Sequence, residues 1–212
     1  MRTIDLTTWP RRAHFEFFRH HTQPHFSVTA PVDVTRFRAG VRERGLSYMA
    51  ATAYVLGRAA NELPPFRWRI RGEAVVEHGR VHPSVIDTEP GSELFHFCTL
   101  PYQPGAPAFL QGAAQALAAR RAQPTLDEDP AQDDLLYLSS LPWVAFTGIT
   151  HAMHLQPPDC IPRLTTGRFT EQGGRWQMPL SVQVHHALMD GRHVGAYFEA
   201  VQALLDDPGL LD

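Results

Sequence analysis

Residues 180–205 change hydrophobic period midway, and that change restricts the fold more than any other feature of the chain. Leu180, Val182, Val184 and His186 alternate with Ser181, Gln183 and His185, the two-residue period of a β-strand. After Gly191, the residues Val194, Tyr197, Phe198, Val201, Leu204 and Leu205 recur at helical spacing and form the apolar stripe of an amphipathic helix. A strand that turns within a few residues into such a helix buries one face of each against the other. The same alternation runs through the rest of the chain. Asp33 and Thr35 offer cap chemistry before a short helix through Phe37 and Val41 that ends near Gly45. Ser47 opens a second helix on Met49, Ala53, Leu56 and Ala60, and Leu63-Pro64-Pro65 stops it. Residues 66–70 and 74–77 around Gly72 predict a hairpin. Further strands are predicted at 94–100, 135–139, 144–147 and 164–170, with an alanine-rich helix over 108–121. The acidic stretch 127–134 reads as a solvated loop. Strands interleaved with helices predict an α/β sandwich. With no repeat and no low-complexity linker, residues 1–212 read as one domain.

A length of 212 residues fits one large domain or two small ones, and 43% hydrophobic against 19% charged residues supplies a core. The net charge of -3 gives no field that would draw in nucleic acid or an anionic membrane. The opening residues lack the apolar core of a signal peptide, and no stretch reaches transmembrane length. Cys98 and Cys160 form no C-x-x-C pair, so a reducing cytoplasm is the expected compartment. Twelve histidines raise a rival reading, a metal-binding protein using His151, His154 and Cys160, or His20, His21 and His25. Those spacings match no defined zinc pattern, so no metal is expected.

Strand alternation predicts that His186 points toward the buried side or a cleft beside it, with His185 pointing the other way. A histidine at a strand end, just before a turn, suits a general base, because imidazole exchanges protons near neutrality. A hydrogen-bonded core histidine suits the same position, and spacing does not separate the two.

The segment His185-His186-Ala187-Leu188-Met189-Asp190-Gly191 carries the H-H-x-x-x-D-G motif of coenzyme A-dependent acyltransferases. Dihydrolipoyl acyltransferase cores and peptide-synthetase condensation domains share it or close variants. Other segments narrow the choice. Trp9 followed by residues 11–20 closely resembles the opening of chloramphenicol acetyltransferases, and the Phe26-Ser27 position follows. Residues 139–147 resemble that family's S-x-x-P-W-V-x-F segment, and Val81-His82-Pro83 matches too. Residues 178–184 lead into the histidines, and His193-Val194-Gly195 follows, as in that family. The resemblance runs through nearly the whole chain in the right order. A condensation domain is about twice as long, and a dihydrolipoyl acyltransferase usually carries lipoyl and subunit-binding domains ahead of this module.

The resemblance implies a mixed β-sheet in a two-layer sandwich, and a homotrimer with active sites between subunits. It implies that His186 takes a proton from an acceptor hydroxyl as that oxygen attacks the thioester of acetyl-CoA, without an acyl-enzyme. Ser139 is expected to donate to the oxyanion, and Thr165 to help bind the transition state through water. Asp190 is expected to pair with Arg11 and hold the catalytic loop, leaving the imidazole oriented by its own backbone carbonyl. Phe17, Phe18 and Phe26 fall at acceptor-pocket positions, although Phe15/Phe17 alternation equally fits core aromatics on a strand. Trp143 and Phe169 fall where the family contacts coenzyme A. Phe18 replaces a tyrosine of some members, and residues 21–25 and 87–92 depart from the family pattern, which opens acceptor choice between chloramphenicol and another hydroxylated small molecule. A non-catalytic binding protein is the reading from another class. It would be expected to have lost His186, Ser139, Arg11 or Asp190, and all four are present.

Overall fold

A computed structural model describes residues 1–212 except 89, 90, 92, 127, 128, 130 and 155–158. The closing strand–turn–helix forms as its periods predict, as β10 (Arg175–His185) followed by α5 (Gly191–Asp206). Asp190 caps α5, its carboxylate accepting from the Arg192 amide. The helix over 48–62 (α3, Tyr48–Glu62) starts where Ser47 Oγ accepts from Ala50 N, and stops at Leu63, whose extended backbone suits the following proline. Its alanines let it pack closely against α4 (Ala106–Ala122) and α5. The short helix predicted after Asp33 is α2 (Thr35–Glu43), and Asp33 Oδ1 accepts from the Thr35 amide at 2.9 Å.

Six strands run side by side in the main sheet. β10 pairs antiparallel with β2 (His25–Asp33) on one side and with β8 (Arg163–Gly167) on the other. The order continues through β7 (Leu135–Leu141) and β5 (His82–Thr88) to β6 (Phe95–Thr99), with β9 (Thr170–Gln172) paired to the start of β10. The β5–β7 and β7–β8 pairs are parallel and the others antiparallel, so the sheet is mixed. A smaller sheet holds β1 (Arg2–Thr3), β4 (Ala74–Glu77) and β3 (Trp68–Arg71). The helices α2 to α5 pack on one face of the main sheet, over Leu136, Leu164, Leu180 and Val182, all fully buried. This is the expected two-layer α/β sandwich. The other face carries hydroxyls and amides: Ser139, Thr165 and Ser181 lie in one cross-strand row, with Gln183 further along β10. No helix of the described residues is long and apolar enough to cross a membrane.

Three local expectations change. Residues 12–18 form a helix (α1, Arg12–Phe18), which turns Phe15 inward and leaves Phe17 65% exposed, so the Phe15/Phe17 alternation is no strand. Residues 144–147 form no strand, because the backbone turns back on itself, Val144 N donating to Leu141 O. That turn leans on β8 at Gly167, where a Cβ would stand 2.7 Å from Val144 O and 2.6 Å from Pro179 Cγ. Part of the acidic stretch 127–134 lies outside the described residues, and its end is no free loop. Asp133 pairs with Arg71 and His78, and its carbonyl accepts from Arg69. Arg69 is fully buried, its guanidinium donating to the carbonyls of Asp133, Phe66, Trp68 and Leu135, which joins the two sheets.

Candidate active site

His186 follows β10 by one residue, held where its amide donates to Pro24 O at 2.7 Å. Its ring stacks on Phe18, centroids 3.9 Å apart and 12° from parallel, and Phe26 packs at 4.8 Å. His186 Nδ1 lies 3.0 Å from Met189 O. A carbonyl only accepts, so Nδ1 carries the proton and Nε2 keeps a lone pair, the arrangement a general base requires. Where a bond to the residue's own carbonyl was expected, the ring nitrogen meets Met189 O, and the His186 carbonyl accepts from Arg11 Nη2 at 3.3 Å.

Arg11 also pairs with Asp190 through Nη1 and Oδ2 at 2.5 Å. Burial works to raise the Asp190 carboxyl, but the Arg11 hydrogen bond and the nearby charges of His193 and Arg11 outweigh it and hold it at about 2. Arg11 thus ties α1's start to α5's cap and to the backbone of the turn carrying His186. His185 takes the face opposite Val184, as the alternation predicts, but that face is not open. β10 is covered on both faces, so His185 is buried against His25, and its Nδ1 accepts from Ala187 N. Burial, with the neighbouring His25 and His186, pushes its pKa down to about 3. His186 is the more open of the two because the strand has ended and the chain has begun to turn.

Ser139 and Thr165 are directly paired across β7 and β8, and Thr165 pairs in turn with Ser181 of β10. Thr165 is fully buried and Ser139 half-buried. Ser139 borders two cavities. One, of about 530 Å³, lies on the helix side among Arg38, Tyr48, Thr52, Arg168 and Phe169. The second, of about 540 Å³, opens on the other face among Phe97, Tyr137, His151, Arg163 and Thr165. His186 borders neither. It lies five residues beyond Ser181 and two strands from Ser139. At strand rise and spacing that is a separation of about 19 Å within one chain.

The profile of chloramphenicol acetyltransferases matches residues 1–202. The chain belongs to the chloramphenicol acetyltransferase family. It is 36% identical over 211 residues to a chloramphenicol acetyltransferase of Streptomyces acrimycini, covering 98% of this chain and 96% of that one. It is 30% identical over 205 residues to chloramphenicol acetyltransferase 2 of Escherichia coli, covering 96% of each. A solved chloramphenicol acetyltransferase structure superposes with a TM-score of 0.85 at 28% identity, over 97% of this chain and 99% of that one. The cubic core of a pyruvate dehydrogenase multienzyme complex shares the fold, with a TM-score of 0.68 at 20% identity, over 91% of this chain and 86% of that one. The chain is accordingly an acyltransferase, of an acetyltransferase family.

Other chloramphenicol acetyltransferase-like positions are dispersed around this frame. Phe18 and Phe26 touch His186, whereas Phe17 meets Phe18 edge-on and His21 at a tilt. Phe169 lines the helix-side cavity beside Tyr48, while Trp143 stands 75% exposed, outside its lining. Among the described residues no group of three His, Cys, Asp or Glu side chains is placed to hold a metal. Three of the six rival metal ligands have other partners: Cys160 Sγ accepts from Ile70 N, His25 Nε2 meets Asp159 O, and His151 lies between Thr165 and Gln183. Gln183 and the Thr165 contact of His151 escaped the sequence reading, which weighed His151 only as a ligand. The signal available was Gln183 alternating with Ser181, a polar row on a strand whose other row is wholly apolar.

Proposed function

We propose that this acyltransferase carries acetyl from acetyl-CoA to a hydroxyl of chloramphenicol, as one catalytic unit spanning residues 1–212, in a cytoplasmic homotrimer. The observation that carries this reading is His186, its tautomer set by Met189 O and its ring clamped by Phe18 and Phe26. Nε2 takes the proton of the acceptor hydroxyl as its oxygen attacks the thioester carbonyl. The tetrahedral oxyanion accepts a hydrogen bond from the Ser139 hydroxyl. Its collapse expels the thiolate of coenzyme A, which leaves as the thiol with the proton from the imidazolium. The acetyl group passes directly to the acceptor, so no acyl-enzyme forms. Arg11 and Asp190 keep the loop in place without touching the imidazole ring.

Coenzyme A is assigned to the helix-side cavity, where Arg38 and Arg168 suit its phosphates and Tyr48 and Phe169 its flat or apolar parts. The acceptor is assigned to the open-face cavity, so that the two substrates meet at Ser139. Because His186 lies about 19 Å from Ser139 in its own chain, the base is assigned to a neighbouring subunit. Phe17, Val28, Ile86, Phe95 and Val144 are exposed apolar residues that such a neighbour would cover. The assay follows free thiol from acetyl-CoA and chloramphenicol. Wild type releases thiol, and His186→Ala loses about 10²–10⁴-fold in kcat. Absence of release with any hydroxylated acceptor, from folded oligomer, would overturn the enzyme mechanism. A different acceptor is favoured by one observation: His151, Asp159 and Arg163 give the open-face cavity a polar wall. Release with other hydroxylated compounds but not chloramphenicol would keep the mechanism and change the substrate.

A further inference from the structure

His151 reaches the sheet face from the irregular segment after β7, and both of its ring nitrogens are engaged. Nδ1 lies 2.7 Å from Gln183 Oε1, and Nε2 lies 2.8 Å from Thr165 Oγ1. The Gln183 amide nitrogen faces Met153 Sδ. A thioether accepts but cannot donate, which puts the amide N–H on sulfur and leaves Oε1 for His151. Since Oε1 only accepts, Nδ1 carries the ring proton. Nε2 is then a bare lone pair, and the Thr165 hydroxyl must donate to it. Thr165 is fully buried, Gln183 nearly so, and Thr165 sits directly across from Ser139. The hydroxyl proton is thereby committed to His151, which leaves the oxygen of Thr165 only lone pairs to offer a group beside Ser139.

We propose that His151, held by Gln183, is a positioning residue that fixes the Thr165 hydroxyl as a hydrogen-bond acceptor toward the reacting groups. The proposal rests on the reading of Ser139 and Thr165 as acetyl-transfer residues. A hydroxyl locked this way accepts from a water or from the acceptor's own O–H, and is pre-organised before substrate arrives. The same arrangement sets a preference for acceptors that present a donor at that point. Free rotation of the hydroxyl would let it donate instead, and the oriented state would be populated only part of the time.

The test is a double-mutant cycle on the full-length oligomer with acetyl-CoA and the best acceptor found. His151→Leu removes the lone pair and lowers kcat about tenfold, with KM for acetyl-CoA unchanged. Thr165→Val lowers kcat by a similar factor, and the double variant falls no further than Thr165→Val alone. His151→Gln, whose amide oxygen reaches about as far as Nε2, recovers most of the loss. Should His151→Leu fail to fold, Gln183→Met replaces it in the cycle, with a loss of about threefold that disappears in the Thr165→Val background. Losses that multiply in the double variant, or an unchanged kcat in His151→Leu, would overturn the proposal while Ser139→Ala still abolishes transfer. Full activity in Ser139→Ala would instead remove the underlying reading, and this proposal with it.

Discussion

If each site draws His186 from one chain and Ser139 from the next, two inactive variants should rescue each other. The perturbation is a one-to-one mixture of His186→Ala and Ser139→Ala chains, refolded together so that subunits assemble at random. Each parent alone is crippled; loss of an oxyanion donor costs about 10²–10³ in rate. In the mixture half of the chains keep the histidine and the other half keep the serine. A site is complete only where a serine-less chain presents its base to a histidine-less neighbour, so about one site in four should work. The refolded mixture should therefore recover roughly a quarter of wild-type thiol release, well above either parent. The expectation follows from the separation of about 19 Å in one chain, too far for a proton and an oxyanion on one small substrate. Mixing the native oligomers without unfolding controls for exchange. A refolded mixture no more active than the mean of its parents would refute the split site, because both groups would then act from the same chain.

Two further predictions concern charge. His185 titrates at about 3 instead of its ordinary 6.5, so the native chain keeps it neutral while the unfolded chain takes up a proton. Stability is therefore lost as pH falls below 6.5 and continues to fall to about 3, and at pH 5 wild type should have lost about 2 kcal/mol relative to His185→Asn, compared with pH 8. Urea unfolding of both at the two pH values checks this, and a constant gap would count against it. Asp190 is also lowered, from 3.8 to about 2, but here the native state favours the charged form, so its stabilising contribution is present above pH 3.8 and disappears as pH falls through 2. Its side chain is 34% exposed, which discounts the value: Asp190→Asn should cost about 1–2 kcal/mol at pH 7. That cost should vanish in acid, and kcat should fall with it as the His186 turn loosens.

The closing strand and helix were legible because each carries an uninterrupted period and a capping residue between them, Asp190. β2 and β5 were not read as strands. Pro31 and Pro83 interrupt them, and their apolar residues are mixed with Ser27, Thr29 and Ser84, because the face opposite the helices is polar. The aromatic run at 15–18 misleads for a different reason: alternation over so few residues fits a strand, yet the segment is a two-turn helix with one inward phenylalanine. The family motifs brought the site residues into view, but no motif states register. That Ser139, Thr165 and Ser181 form one row while His186 lies well beyond it depends on pairings among three strands distant in sequence. The neutral pairing of His185 with His25 follows from the same cause, since only the β2–β10 register puts them opposite each other.

Every permanently cationic side chain met above is a guanidinium, among them Arg11 at the His186 turn, Arg38 and Arg168 at the helix-side cavity, and Arg69 between the sheets. The pattern is complete, for the 19 basic residues of the chain are all arginine and none is lysine. An arginine fork gives several directed donors where a lysine offers one point of charge, which suits the carbonyl cage around Arg69. It also bears on chemical self-damage. An activated thioester acylates free amines, and guanidinium, protonated at all working pH values, is a poor nucleophile. If the chain handles acetyl thioesters as proposed, its lack of lysine means that it offers them no side-chain amine.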